Sequence, residues 1–103
     1  MFSFAKAKAL LEDYAAKDAR AKLVVLAEMT PAIALTIETS ESIGSFRVWE
    51  NALVDFEVFD IGLDSFIANE AMIQIDDDSI HLELSRFLAI AGMDYAIKAG
   101  DPD

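Results

Sequence analysis

The chain has no cysteine, one histidine, two prolines and four glycines among its 103 residues, and only eight of those residues are Lys or Arg. Each scarcity removes a class of chemistry. Without Cys there is no disulfide framework, thiolate zinc site or thiol nucleophile, and a single His leaves no paired histidine for a hydrolytic triad. Gly44, Gly62, Gly92 and Gly100 are too scattered to form a phosphate-cradling loop. Eight cations against 19 acids give a formal charge of -11. Phosphate contacts require Lys or Arg, so neither nucleic acid nor an anionic membrane surface is an expected partner. A protein with a basic surface fits better. Long hydrophobic runs are missing too: Leu23 to Ala27 is too short to span a bilayer, and Glu12 and Asp13 interrupt the first apolar stretch before it reaches signal-peptide length. A soluble, cytoplasmic protein is the expectation.

What is present is enough for a core. At 54% hydrophobic, residues 1–103 are expected to fold as one domain. The charge is uneven. Residues 1–22 hold five of the cations and three acids, a balance of +2, which leaves -13 on the remainder.

The first segment is rich in Ala, Leu, Lys and Glu and predicts a helix over about 4–20, with Ala7, Leu10, Leu11, Tyr14 and Ala15 on one stripe. From residue 22 to 75 the pattern becomes alternating and β-branched, predicting four or five antiparallel strands. Leu23 to Met29 reads as the first. Ile33, Leu35 and Ile37 alternate in the second, and Ser40 to Gly44 reads as a turn. Phe46 and Val48 mark the next strand, Glu50-Asn51-Ala52 a turn, and Val54, Phe56 and Val58 another strand. Gly62 and Asp64 mark a turn before a last strand over Phe66 to Ile75. Asp76-Asp77-Asp78-Ser79 then suits a helix N-terminus, since these side chains accept from first-turn amides. That helix is expected over about 78–98, with Ile80, Leu84, Phe87, Leu88, Ala91 and Tyr95 inward and Gly92 as a weak point. The fold class is therefore α+β: a two-layer domain with an antiparallel sheet flanked by an N-terminal and a C-terminal helix.

Few residues suggest catalysis. His81 has no visible orienting partner and reads as a surface or half-buried side chain. The Asp76-Asp77-Asp78 run lacks the alternation, central Gly and closing Glu of a calcium loop. Asp55 and Glu57 lie on one side of a strand, but an open acidic face gives their pKa values no reason to diverge. No catalytic residue, metal site or cofactor is assigned. More informative is the sheet face opposite the apolar one, which alternation assigns to Thr36, Glu38, Arg47, Trp49, Asp55, Glu57 and Phe59. Aromatic anchors among charges fit a protein-binding surface, although a helix or a second copy could also cover Trp49 and Phe59.

The order of residues carries a further signal. Ile37-Glu38, then Ile43-Gly44-Ser45-Phe46-Arg47-Val48-Trp49-Glu50, then Val54-Asp55-Phe56-Glu57-Val58-Phe59-Asp60 and Asn69-Glu70 resemble the TriTu family of bacterial immunity proteins over residues 33–90. G-x-x-x-V-W-E followed by D-x-E-V-x-D is the most characteristic piece. The chain departs from the family pattern at Ile61-Gly62-Leu63-Asp64, where a Thr-Gly type of turn is usual, and at Ala71 and Met72, where aromatics or His are frequent.

The resemblance implies a small acidic antitoxin that neutralises a secreted Rhs-type ADP-ribosyltransferase toxin acting on elongation factor Tu. Occlusion of the toxin's basic active-site cleft, with no chemistry of its own, is the implied mechanism. Glu38, Arg47, Trp49, Glu50, Asp55, Glu57 and Phe59 are the expected partner-binding residues, with Trp49 as anchor and the carboxylates as steering or pairing charges. Two other roles stay open on sequence: a small magnesium-dependent ADP-ribose hydrolase, and a homodimeric interaction module.

Overall fold

The computed structural model describes residues 2–26 and 30–92. Helix α1 spans Phe4–Lys17, followed by β1 (Ala21–Leu26), β2 (Ala32–Glu38), β3 (Ser42–Trp49), β4 (Leu53–Asp60), β5 (Ser65–Gln74) and helix α2 (Ser79–Ile90). The five strands form one antiparallel sheet in sequence order. Short connections leave each strand beside its predecessor, as hairpins require. Both helices pack on the same face, so the α+β two-layer architecture expected from the sequence is the one observed.

Ile33, Leu35, Ile37, Phe46, Val48, Val54, Phe56 and Val58 all point into one core, as the alternation indicated. Ala7 and Leu11 of α1 and Ile80, Leu84, Phe87 and Leu88 of α2 close it from above. Three rings form its centre: Phe87 lies 5.4 Å from Phe46 and 5.8 Å from Phe56, and the last two are 6.0 Å apart.

Gly44 corrects the sequence reading. It lies inside β3 on the core face and is not part of a turn. A Cβ at this position would sit 2.9 Å from Cε1 of Phe87, so the missing side chain is what admits the ring.

The helices also differ at their ends. α1 stops at Lys17, short of residue 20, because Asp18 turns extended (φ -137°, ψ 115°). There its carboxylate takes the backbone N–H of Arg20 at 2.9 Å and the Arg20 guanidinium at 3.1 Å. α2 stops at Ile90, and Gly92 follows at φ +86°, the left-handed geometry that commonly closes a helix. The Ser42 hydroxyl donates to the Ala91 carbonyl at 3.2 Å and ties this end to the sheet. The expected continuation of α2 through residues 93–98, with Tyr95, and the end of the first strand at residues 27–29 lie outside the described residues.

The three-aspartate run divides its work. Asp76 Oδ1 accepts from the N–H of Ser79 at 2.7 Å and of Asp78 at 3.0 Å, while Ser79 Oγ accepts from the Asp76 N–H at 2.9 Å. This is a reciprocal, capping-box-like pair of bonds across the turn that leads into α2, whose first residue is Ser79. Asp77 instead reaches the other helix, accepting from the Ser3 N–H at 2.8 Å with Lys6 Nζ 3.6 Å away. On the opposite flank of α2, Arg86 pairs with Glu70 of β5 at 2.6 Å and with Glu83, and its guanidinium stands 5.5 Å from the Phe56 ring centroid.

Bonds from Ser79 hold the Asp76 carboxyl below its ordinary value of 3.8, and bonds from Arg20 do the same for Asp18. Carboxyls depressed in the folded state contribute stability that is complete above their unfolded pKa and is lost as the pH falls through the folded one. Thermal unfolding followed by circular dichroism is therefore expected to show a melting temperature that falls as the pH drops below 3.8. Asp76→Ala should flatten that fall. An unchanged acid slope in the variant would remove Asp76 from the explanation.

Ala52 closes the β3–β4 turn at φ +70°, with its N–H on the Trp49 carbonyl at 3.1 Å. The left-handed region costs an L-residue about 1–2 kcal/mol and glycine far less. Ala52→Gly is expected to stabilise the protein by about 0.5–1 kcal/mol, read as a raised urea midpoint at constant slope. A lowered midpoint would contradict the turn geometry.

Candidate functional site

Among the described residues neither helix packs on the second face of the sheet, so neither α1 nor α2 covers Trp49. Strand register arranges this face in rows. Ala32 pairs with Trp49; Ala34, Arg47 and Asp55 form the next row. Thr36, Ser45, Glu57 and Asn69 follow, then Glu38, Ile43, Phe59 and Phe66. Alternation placed the expected face correctly, but the residues do not act as one cluster. Arg47, Trp49 and Asp55 come together. Glu57 stands one row away, Glu38 and Phe59 lie at the far end, and Glu50 is exposed in the turn.

Asp55 organises the central trio. Its Oδ2 accepts from Arg47 Nη1 at 3.0 Å and its Oδ1 from Trp49 Nε1 at 3.1 Å. Arg47 also stands 6.0 Å from the Trp49 ring centroid, within cation–π range. The carboxylate expected to serve as a steering or pairing charge toward a partner is therefore engaged inside the molecule. It fixes the orientation of an indole and a guanidinium, the two groups most often found as interface anchors.

Beside the trio opens a cavity of about 360 Å³ lined by Thr30, Trp49, Asn51, Leu53, Asp55, Ala71 and Met72. It exists because β5 is irregular. Val54 pairs with Ile73 and Phe56 with Glu70, so Asp55 alone faces both Ala71 and Met72. This bulge drives Met72 to φ +60°, an uncommon conformation for an unbranched side chain, and leaves it 74% exposed. Bulges gather beside functional sites because they interrupt pairing and re-aim side chains. An apolar hollow with an indole wall, an amide and a carboxylate suits an inserted side chain from a partner or a small ligand.

Sequence reasoning found Trp49, Asp55 and Arg47 and missed Thr30, Asn51, Leu53, Ala71 and Met72. A partial signal existed for the last two: alternation fails within Asn69-Glu70-Ala71-Met72, where the structure has the bulge. His81 is exposed on α2. No three His, Cys, Asp or Glu side chains converge on a common point among the described residues, and no helix there is long and apolar enough to cross a membrane. Comparison with protein-family models, curated proteins and solved structures finds no match to this chain.

Proposed function

We propose that the chain is an immunity protein of the TriTu kind that binds a cognate secreted toxin through its open sheet face and blocks the toxin's active-site cleft. The observation that carries this reading is the fixed Trp49–Asp55–Arg47 trio beside a cavity on a face that neither helix covers among the described residues. Preorganised aromatic and Arg anchors lose little freedom on binding, which favours tight association. The sequence resemblance supplies the class of partner, an ADP-ribosyltransferase. Such a cleft accommodates the anionic pyrophosphate of NAD and so carries positive charge, to which a protein of net charge -11 is complementary. Inhibition is steric and takes place in the cytoplasm of the producing cell.

The test is growth rescue. Any ADP-ribosyltransferase domain found in the gene next to this protein's is expressed with and without it, and ADP-ribosylation of elongation factor Tu is followed by mass spectrometry; a neighbouring gene with no such domain counts against the role. The role requires rescue of growth, loss of the modification, and a stable complex of the two purified proteins. Rescue without a complex, accompanied by removal of ADP-ribose already attached to the target, would replace binding with hydrolysis.

A further inference from the structure

The far end of the open face carries a second feature. Ile43, Phe59 and Phe66 stand side by side across β3, β4 and β5, with the two phenylalanine rings edge to face at 5.2 Å and 78°. Leu63 in the β4–β5 turn is 68% exposed and Phe66 52%. Hydrogen bonds fix this turn. The Leu63 N–H donates to Asp60 Oδ1 at 2.8 Å, and the Ile61 N–H donates to the Glu41 carbonyl at 2.9 Å, joining the β2–β3 and β4–β5 turns. The apolar surface is thus presented by ordered backbone.

Its surroundings are acidic. Glu38 flanks Ile43 across β2 and β3, and Glu41 and Asp64 lie exposed in the two joined turns. The cations nearest this end lie on the β1 side: Arg20, whose carbonyl accepts from the Glu38 N–H and whose guanidinium is paired with Asp18, and Lys22 opposite Thr36 one row away. Arg47 and Arg86 are committed to ion pairs of their own, so the carboxylates of the two joined turns have no Lys or Arg beside them on β3, β4 or β5. A second copy would set these carboxylates against their own kind, whereas Lys and Arg beside an apolar side chain would match both the rim and the centre.

We infer that this end of the face is a docking surface for a basic protein segment that presents a large apolar side chain between Lys or Arg residues. The inference rests on the reading of the open face as an interface and gives that interface a second anchor remote from Trp49. The partner's chemistry here is cationic and apolar together, and a purely cationic segment does not satisfy it.

The experiment is an NMR titration of the isotope-labelled full chain with a synthetic Leu/Lys amphipathic peptide, and with the same peptide carrying Glu in place of Lys. The Lys peptide is expected to shift the amides of Ile43, Phe59, Leu63 and Phe66 saturably, and the Glu peptide to shift none of them. Phe66→Ser and Leu63→Ser, both at exposed positions, should each weaken binding by about tenfold. Leu82→Ser on the helical layer should leave it unchanged. Three results would overturn the inference: shifts spread over all the acidic residues, affinity indifferent to both Ser variants, or patch shifts that appear with protein concentration alone and so identify a second copy as the occupant. No toxin is present in this experiment, so its failure leaves the growth-rescue result standing, and the reverse holds as well.

Discussion

Phe87→Ala is expected to cost about 3–5 kcal/mol of folding stability, the range for removing a fully buried aromatic ring. Phe87 is the largest of the four α2 side chains buried against the sheet. Its ring touches Phe46 and Phe56 and lies over Gly44, where β3 has no Cβ to fill the space. Truncation leaves a hollow that Gly44 cannot close, so relaxation is limited and the cavity penalty is added to the lost transfer energy. Domains of this size hold about 5–15 kcal/mol in total, so the loss is a large fraction. Urea unfolding followed by circular dichroism gives the value directly. Phe87→Leu should fall between the two, and a cost under about 1 kcal/mol for Ala would mean that the ring is not the contact holding the layers together.

Trp49→Ala is expected to weaken the proposed toxin complex by about 2 kcal/mol or more, near 30-fold in affinity, while changing folding stability far less. The indole is half-buried on the sheet face away from the core, so its removal opens no internal cavity. It does remove the cavity wall and the donor to Asp55 Oδ1. Titration calorimetry on the purified pair separates the two effects. Charge is better probed elsewhere, because reversing Asp55 would also release Arg47 and Trp49 and confuse steering with positioning. Glu50→Lys and Glu57→Lys leave the trio intact and should mainly slow association and reduce its dependence on salt. Full affinity in the Trp49→Ala variant would move the interface away from this face.

The parts of the fold that follow from period two were readable before any coordinates. Eight alternating residues of β2, β3 and β4 enter the core as expected, and the opposite positions form the open face. Gly44 was misread because glycine signals a turn when seen locally. Only the docking of α2, some forty residues later, shows that it makes room for Phe87. Asp55 reads in the sequence as a steering or pairing charge toward a partner for a related reason. Its partners are on β3, and strand alternation reveals sides but not side-chain hydrogen bonds. The cavity lay furthest from the sequence, since it depends on a register skip between Val54 and Phe56 that alternation alone cannot position.

Hydroxyl-radical footprinting of the free protein and of the proposed toxin complex tests the central claim most directly, because it reads the exposure of individual side chains on each face. Trp49 is the only tryptophan in the chain, and Met72 beside it is 74% exposed and reactive. On the helical layer Leu82 of α2 is 66% exposed and serves as the opposing reporter. An interface on the open face is expected to protect Trp49 and Met72 strongly on complex formation and to leave Leu82 unchanged. Protection of Leu82 with undiminished oxidation of Trp49 and Met72 would contradict it.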